Sequence, residues 1–442
     1  MTRRGAPAHG PGPRIQPAGA HQLTRRAGYL LAAPALAALL AAVAAPPAAF
    51  AQLALGVQGI GVVTRADAPG GTTITEARLV EPVAFGSFTG LGGRFTVHAM
   101  LDGEGWTMRG GALAPGDWGE GYYDRRHPHT LVHEVIATLA DPVPLPGAVH
   151  WSLAAGKGFA PFGTDDPMNR PALLFPVDHH WSQILERAVA VLAVRRGPVT
   201  LEAGTFDGDE PERWDEWPKW SRFGDSWSVR GLVHPAGAVE LQASYARVKS
   251  PEDRAGAGPT SEKVSVSARL ERALGSGRFY GLAEWASNSE SNGFYVFHAV
   301  LAEAQWQRGR WRPYARLEIA DRPEEQRSFG DPFRSPRPPN DNSLLGVTRW
   351  RTLLAGLGVG LPQAVRGVHT ETIGEVAWAQ VTSLEGVFDP ASFYGRTQLW
   401  TVNLGIRVAA GAAMHRMGRY GAAAAGMPGM AETGRMPGMD HP

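Results

Sequence analysis

The sequence has no cysteine, almost no net charge and no nucleotide-binding or hydrolase fingerprint. Without cysteine, neither a disulfide framework nor a thiolate metal site can form. The 43 basic and 42 acidic residues nearly cancel, so no general attraction to nucleic acid or anionic lipid is expected. A Gly-x-Ser-x-Gly elbow is missing, and nothing fixes the separation of carboxylates such as Glu186 and Glu202. We therefore do not expect an enzyme.

The N-terminal segment 1–51 has the features of a signal peptide. An apolar run over 29–45 follows Arg25 and Arg26, and Ala49-Phe50-Ala51 supplies small residues at the spacing that a signal peptidase recognises. A single membrane-spanning helix is the alternative, although the run is mostly alanine, which inserts weakly into bilayers. In either case we expect the protein to leave the cytoplasm.

Beyond residue 52, many segments of about ten residues alternate between polar and apolar side chains. In segment 263–271, valine, alanine and leucine take one face, while serine, arginine and glutamate take the other. Segments 239–246, 311–320 and 400–408 divide in the same way. Strands of soluble proteins average about five or six residues, whereas about ten tilted residues cross a bilayer. The pattern is typical of strands with one face toward lipid and one toward a wet lumen.

These segments predict an all-β fold, a transmembrane antiparallel up-and-down β-barrel of about sixteen strands (14–18) over residues 52–409. Short connections such as 275–277 and 308–310 alternate with long ones such as 158–180 and 207–224. Tight periplasmic turns and long extracellular loops give this alternation. With an even strand number and a periplasmic N-terminus, the C-terminus is expected in the periplasm as well.

Aromatic residues fall near the ends of the predicted strands, among them Trp181, Trp227, Trp311, Trp350 and Trp400. We expect them in girdles at the lipid headgroups. Ordinary packing in the core of a soluble sheet protein is the alternative.

The signal peptide, the alternating strands and the charged lumen face resemble Gram-negative outer-membrane barrels of the porin class. The resemblance covers about residues 52–409 and is one of pattern, without a specific motif. It implies an outer-membrane location in contact with lipid and a channel function. One departure is that such barrels usually end on an aromatic residue, whereas this chain continues beyond its last predicted strand.

Charged and polar residues on the inner face of the predicted barrel are candidates for setting ion preference. These predicted lumen-lining residues are Arg269, Glu271, Glu303, Gln305, Arg312, Arg316, Glu318 and Arg407. Their mixed signs predict weak selectivity. A plugged structural or adhesive barrel with a partner-docking tail is the alternative, and a secreted soluble carbohydrate-binding β-protein is a third.

The segment 410–442 is predicted to be a flexible periplasmic tail rich in Met, His, Gly and Pro. It contains three Met-x-x-Met pairs, and soft thioethers prefer Cu(I) or Ag(I), while imidazole and carboxylate suit Cu(II). The candidate metal ligands are Met414, His415, Met417, Met427, Met430, Met436, Met439, Asp440 and His441. The alternatives are a hydrophobic docking patch, an oxidation target, or drift in a low-complexity tail.

The stretch Met-Pro-Gly-Met-Asp-His in this tail resembles the Met-rich segments of copper-resistance outer-membrane and periplasmic proteins. That resemblance implies copper resistance or export, with periplasmic copper-handling proteins as partners. No other cofactor is expected.

Two further clusters have a functional and an ordinary interpretation. His127, His129 and His133 could hold a divalent ion at the barrel rim, but Pro128 indicates a loop, and we favour polar rim histidines. The 213–220 loop carries Trp214, Trp217 and Trp220, which suit sugar stacking, although packing within the loop or against headgroups is more common. The acidic run before this loop would suit Ca²⁺ or a solvated constriction.

Overall fold

The barrel is seen in a computed structural model, which describes residues 52–108, 129–177, 179–211, 213–251, 255–326 and 344–426. Sixteen strands make up most of it. In chain order they are β1 Gln52–Ala68, β2 Thr72–Gly90, β3 Phe95–Asp102, β4 Val132–Ala140, β5 Val149–Gly158, β6 Arg187–Arg196, β7 Val199–Phe206, β8 Ser226–Ala236, β9 Val239–Lys249, β10 Thr260–Leu274, β11 Gly277–Glu290, β12 Tyr295–Gln307, β13 Trp311–Glu325, β14 Leu344–Gly360, β15 Val368–Gly386 and β16 Gln398–Gly411.

The strands form one closed antiparallel barrel in which each strand pairs with its neighbours in sequence. β1 and β16 close the barrel, with Gly56 opposite Gly411 and Ala66 opposite Thr401. The predicted fold class and strand count are therefore confirmed. Closure satisfies the backbone donors and acceptors of every strand, which a sheet edge in lipid could not do.

The outer face of the barrel is apolar and the inner face is charged. In β13, Trp311, Leu317 and Ile319 are 46–58% exposed, whereas the intervening Arg316 and Glu318 are at most 4% exposed. This division follows from the two-residue period of a strand. Outward tryptophans on other strands, Trp227 and Trp400, are 43% and 52% exposed.

The two ends of the barrel differ in the length of their connections. Seven connections at one end, from 91–94 to 361–367, span two to eight residues. We call this the turn end, and β1 starts and β16 finishes there. The opposite end, which we call the loop end, carries the long connections 159–186 and 207–225.

Helices in the described part of the chain are short. They are Glu104–Thr107, His179–Ser182 and Pro390–Tyr394, with 3-10 turns at Pro69–Gly71, Leu91–Gly93, Pro167–Asn169, Trp220–Arg222, Ser291–Gly293 and Gly421–Gly426. None of the helices within these described ranges is long and apolar enough to cross a membrane.

Candidate functional site in the barrel lumen

The connection between β5 and β6, residues 159–186, folds into the barrel, and we call it the lumen loop. Its hydrogen bonds reach strands on opposite sides of the wall. Gly163 N donates to Ser244 Oγ on β9 at 3.0 Å, and Leu174 N donates to Glu375 Oε1 on β15 at 3.0 Å. β9 and β15 are separated by five strands in one direction and nine in the other. The lumen loop therefore crosses the lumen.

Aromatic packing fixes the lumen loop toward the loop end. Trp181 stacks on Phe297, with ring centroids 5.1 Å apart and planes at 6°. Its Nε1 donates to Asp321 O at 3.0 Å. Trp350 is also buried, with Tyr394 edge-on at 5.9 Å. Placing Trp181 and Trp350 in headgroup girdles was therefore wrong, because both pack inside the barrel.

The chain also turns back into the lumen after β16. Gly411 has a φ of 83°, a conformation that favours glycine, and a Cβ there would lie 2.2 Å from Leu55 O. Ala412 N donates to the same oxygen at 2.7 Å. The next residues, 412–426, enter the barrel from the turn end, and we call them the C-terminal segment.

Arg416 ties the C-terminal segment to both the lumen loop and the wall. Its guanidinium bonds Asp165 of the lumen loop, with Nε to Oδ1 at 2.8 Å. It also donates to Glu240 of β9, with Nη2 to Oε1 at 2.9 Å. Burial alone would raise the pKa of the Asp165 carboxyl, but the charges of Arg416, Arg269 and Arg419 lower that pKa to about 2. Both carboxylates are therefore ionised partners of buried arginines.

Four further hydrogen bonds hold the C-terminal segment against β4, β5, β8 and the lumen loop. Tyr420 Oη donates to Glu134 Oε1 at 2.6 Å and accepts from Phe159 N at 3.0 Å. Ala422 N donates to Ser152 Oγ at 2.9 Å. On the β8 side, Arg230 donates to the carbonyl oxygen of Gly418. Residues 421–426 also pack along β4 to β7.

These contacts correct the interpretation of 410–442 as one flexible tail, because its first part is packed inside the barrel. Met417 is 1% exposed in a cluster with Met100 and Met168, and Met414 packs against this cluster. His415 Nε2 lies 2.6 Å from Glu134 Oε2. Of the candidate copper ligands, only these three tail residues are described. Met427, Met430, Met436, Met439, Asp440 and His441 lie outside the described residues.

The eight predicted lumen-lining residues all lie on the inner face of their strands, where they form ion pairs and hydrogen bonds. Arg316 Nε bonds Glu303 Oε2 at 2.9 Å. Arg312 bonds both carboxylate oxygens of Glu371 at 2.7 Å. Arg269 pairs with Glu271 at 2.7 Å, and Arg407 pairs with Glu371 at 3.3 Å. Gln305 accepts from Arg312, and Glu318 is buried. These contacts make most of them structural partners of neighbouring groups.

A cavity of about 610 Å³ remains between the lumen loop and strands β10 to β16. Residues of the turn-end connections, among them Gly309, Arg310 and Leu361, line it together with Met414. Its charged lining is strongly unbalanced. It contains six arginines, Arg170, Arg269, Arg278, Arg310, Arg312 and Arg407, and two glutamates, Glu271 and Glu371. The lining therefore carries more arginine than glutamate, and Arg170 and Arg269 also pair with Glu284 at 3.6 Å and Asp165 at 2.8 Å behind it. The weak selectivity expected from the sequence stays a prediction.

The sequence analysis missed the groups that hold the two inward segments, including Asp165, Glu240, Glu375 and Arg419. Glu240 and Glu375 lie on inner faces of their strands, so the alternation places them correctly without revealing their partners. A signal for the lumen loop does exist in its composition. Segment 171–177 is mostly apolar, which is unsuited to a loop in water.

The loop-end clusters are buried or paired where the structure describes them, except for two exposed tryptophans. His129 and His133 are buried near Glu186, and His127 lies outside the described residues. Trp214 packs on Trp106 at 5.7 Å, while Trp217 and Trp220 are 54% and 59% exposed. In the acidic run before the tryptophan loop, Asp207 accepts from two backbone amides. Asp209 Oδ1 lies 3.6 Å from Arg222 Nη1. The acidic side chains are therefore already partnered.

No family model matches the sequence, and no curated protein matches it either. Among solved structures, an anion-selective porin from Comamonas acidovorans is similar, with 11% identity, 81% of this chain and 99% of that chain covered, and a TM-score of 0.48. Salmonella typhi OmpF in complex with daunomycin is similar at 11% identity, with 81% and 97% covered and a TM-score of 0.46. OmpT of Vibrio cholerae is similar at 9% identity, with 82% and 99% covered and a TM-score of 0.45. At these identities and TM-scores, the similarity does not transfer a function from these proteins to this chain.

Proposed function

We propose that this chain is an outer-membrane channel for small anions, held closed by its own C-terminal segment. An apolar outer face on a sixteen-strand closed barrel supports the outer-membrane location. It argues against a secreted soluble protein, whose surface would not carry such a continuous apolar band. The short connections at the turn end suit the periplasmic side, which would place the C-terminus there.

The observation that carries this proposal is the position of residues 412–426 inside the lumen. A sixteen-strand barrel is wide enough for an aqueous channel unless something fills it. Here the lumen loop fills one part and the C-terminal segment fills another. Within the described residues, the C-terminal segment is covalently continuous with the strands through Gly411 and pairs with none of them as a strand, so it can leave without breaking a strand pair.

Anion preference follows from the cavity that faces the turn end. Six arginines and two glutamates line this vestibule, and Arg170 and Arg269 pair with further carboxylates behind it, which leaves a smaller excess of positive charge. A low-dielectric wall focuses such a field and raises the local concentration of anions. Small organic acids and inorganic anions are the solutes of matching charge and size for a cavity of about 610 Å³.

The test is conductance in planar bilayers of the full mature chain and of a chain that ends at Gly411. We expect few and short openings for the full chain, and stable ion-conducting steps with anion preference for the shortened chain. If the shortened chain folds, as judged by heat-modifiable gel mobility, and still gives no steps, the barrel is a plugged scaffold instead of a channel.

A soft-metal function of the remaining tail is a second proposal, supported by the two Met-Pro-Gly-Met repeats in 427–442. Packing of Met414, His415 and Met417 in the lumen leaves the later thioethers and His441 as the ligands for Cu(I) or Ag(I). The test compares Cu(I) binding by the full chain and by a chain ending at Gly426. Equal binding by both, or unchanged binding after the four later methionines become leucine, would contradict the proposal.

A further inference from the structure

A cluster of buried ligand-type side chains lies at the loop end, where β3 finishes and β4 begins. Two triads share one histidine: Asp102, Glu104 and His129, and then His129, His133 and Glu186. Within each triad, one potential ligand atom per residue lies within 4.8 Å of the others. All five side chains are buried.

The distances in the first triad match the edges of a metal coordination sphere. His129 Nδ1 lies 3.3 Å from Glu104 Oε2 and 3.5 Å from Asp102 Oδ2. Ligands about 2.1 Å from a tetrahedral metal ion are about 3.4 Å from each other. The hydrogen-bonded pair of Arg312 with Glu371 is closer, at 2.7 Å.

Backbone amides orient the two carboxylates of this triad toward the histidine. Asp102 Oδ1 accepts from Glu104 N at 2.8 Å, and Glu104 Oε1 accepts from Glu81 N at 2.9 Å. These bonds turn the second oxygen of each carboxylate toward His129. Asp102 Oδ2 is fully buried and has no hydrogen-bond partner among the residues that the structure describes. A buried carboxylate oxygen in this condition is unfavourable unless a cation binds it.

The second triad supplies a histidine that is already oriented. His133 Nδ1 bonds Glu186 Oε1 at 2.6 Å, and its ring lies 4.7 Å from the ring of His129. His133 Nε2 is buried without a hydrogen-bond partner in the described part of the chain. A carboxylate on one ring nitrogen fixes the tautomer and leaves the other nitrogen as a metal ligand.

The cluster is covered from the loop side. Lys157 Nζ lies 3.6 Å from Glu186 Oε2. Gly105 and Trp106 pack under Trp214, which covers this region from the loop side. A bound dication would pair with the buried carboxylates of the first triad in a place where water is excluded.

We propose that this cluster is a structural site for a divalent transition-metal ion such as Zn²⁺. Asp102, Glu104 and His129 are its ligands, and His133 with Glu186 lies on the other side of His129 as a supporting pair. Imidazole with carboxylates suits Zn²⁺ and related borderline ions and does not suit Cu(I), so this site differs in chemistry from the tail. Glu186 ends the lumen loop and accepts from Thr130 N, next to His129, so an ion on His129 fixes β3 and β4 beside that end of the loop.

The test uses the full chain, purified in detergent, stripped with a chelator and dialysed against Zn²⁺ or Co²⁺. We expect about one tightly held ion per chain by elemental analysis, and visible ligand-field absorption with Co²⁺. His129→Gln and Asp102→Asn should each lower the affinity for Zn²⁺ at least about tenfold. His150→Gln is the matched control, because His150 is exposed and pairs with Asp141 at the other end of the barrel.

Two results would overturn the proposal. One is a chain without substitutions that retains no Zn²⁺ after dialysis, which would identify the cluster as a protonated histidine between carboxylates. The other is Zn²⁺ binding that is equal in His129→Gln and in His150→Gln. Metal content of the unsubstituted chain decides the matter even if a variant fails to fold.

Discussion

Arg416 is the group whose loss should open the lumen most readily. Its guanidinium is shared between Asp165 and Glu240, and all three side chains are largely buried. Removing one partner of a buried ion pair costs about 3–5 kcal/mol. Here Arg269 still pairs with Asp165 at 2.8 Å and Arg419 with Glu240 at 3.2 Å, so the lower figure applies.

A loss of about 3 kcal/mol from the closed state raises the ratio of open to closed channels about 100-fold. The assay is the open probability of Arg416→Ala in planar bilayers, with heat-modifiable mobility as the check on folding. Arg396→Ala is the control, because its pair with Asp67 is 41% exposed on the arginine side, and such pairs contribute about 0.2–1 kcal/mol. A folded Arg416→Ala barrel with the open probability of the control would refute the account of the closed state.

Three other predictions follow from the lumen. Trp181→Ala removes the stack on Phe297, so the amides of the lumen loop should lose hydrogen-exchange protection about 100-fold, whereas the outward Trp400→Ala should not change it. Reversing Arg278 and Arg310 to glutamate equalises the cavity charges, so the zero-current potential of the opened channel in a salt gradient should lose its anion preference. Because the folded pKa of Asp165 is depressed to about 2, its contribution to the closed state is complete above the ordinary pKa of 3.8 and is lost as the pH falls through 2. The open probability should thus be constant from pH 8 to about pH 5, and opening that begins near pH 6 would contradict this.

The strands were predictable because their two faces meet different solvents. Lipid outside and charged groups inside impose a two-residue period, which appears in the sequence without any knowledge of partners. The strand count, the alternation in 311–320 and the inward position of Arg316 all follow from that period. The pairing of Arg316 with Glu303 does not follow from the period alone, because it also needs the register that places the two residues opposite each other.

The inward segments were not predictable from periodicity, because loops carry none. The lumen loop shows only an apolar composition, and no local signal states that Leu174 will meet Glu375, which is 201 residues away. The first Met-x-x-Met pair was grouped with the later ones because the spacing is the same. Met414 follows the end of β16 closely, however, so the turn at Gly411 brings this pair into a core with Met100.

A reversible disulfide tests most directly whether the C-terminal segment closes the channel. The chain has no cysteine, so a pair introduced as Ser152→Cys and Ala422→Cys would be the sole thiols, and Ala422 N lies 2.9 Å from Ser152 Oγ. In the Arg416→Ala background, we predict that the oxidised barrel stays closed and that a reductant opens it within the same recording. Equal conductance before and after reduction, with the disulfide verified by mass spectrometry, would contradict the proposed role of the C-terminal segment.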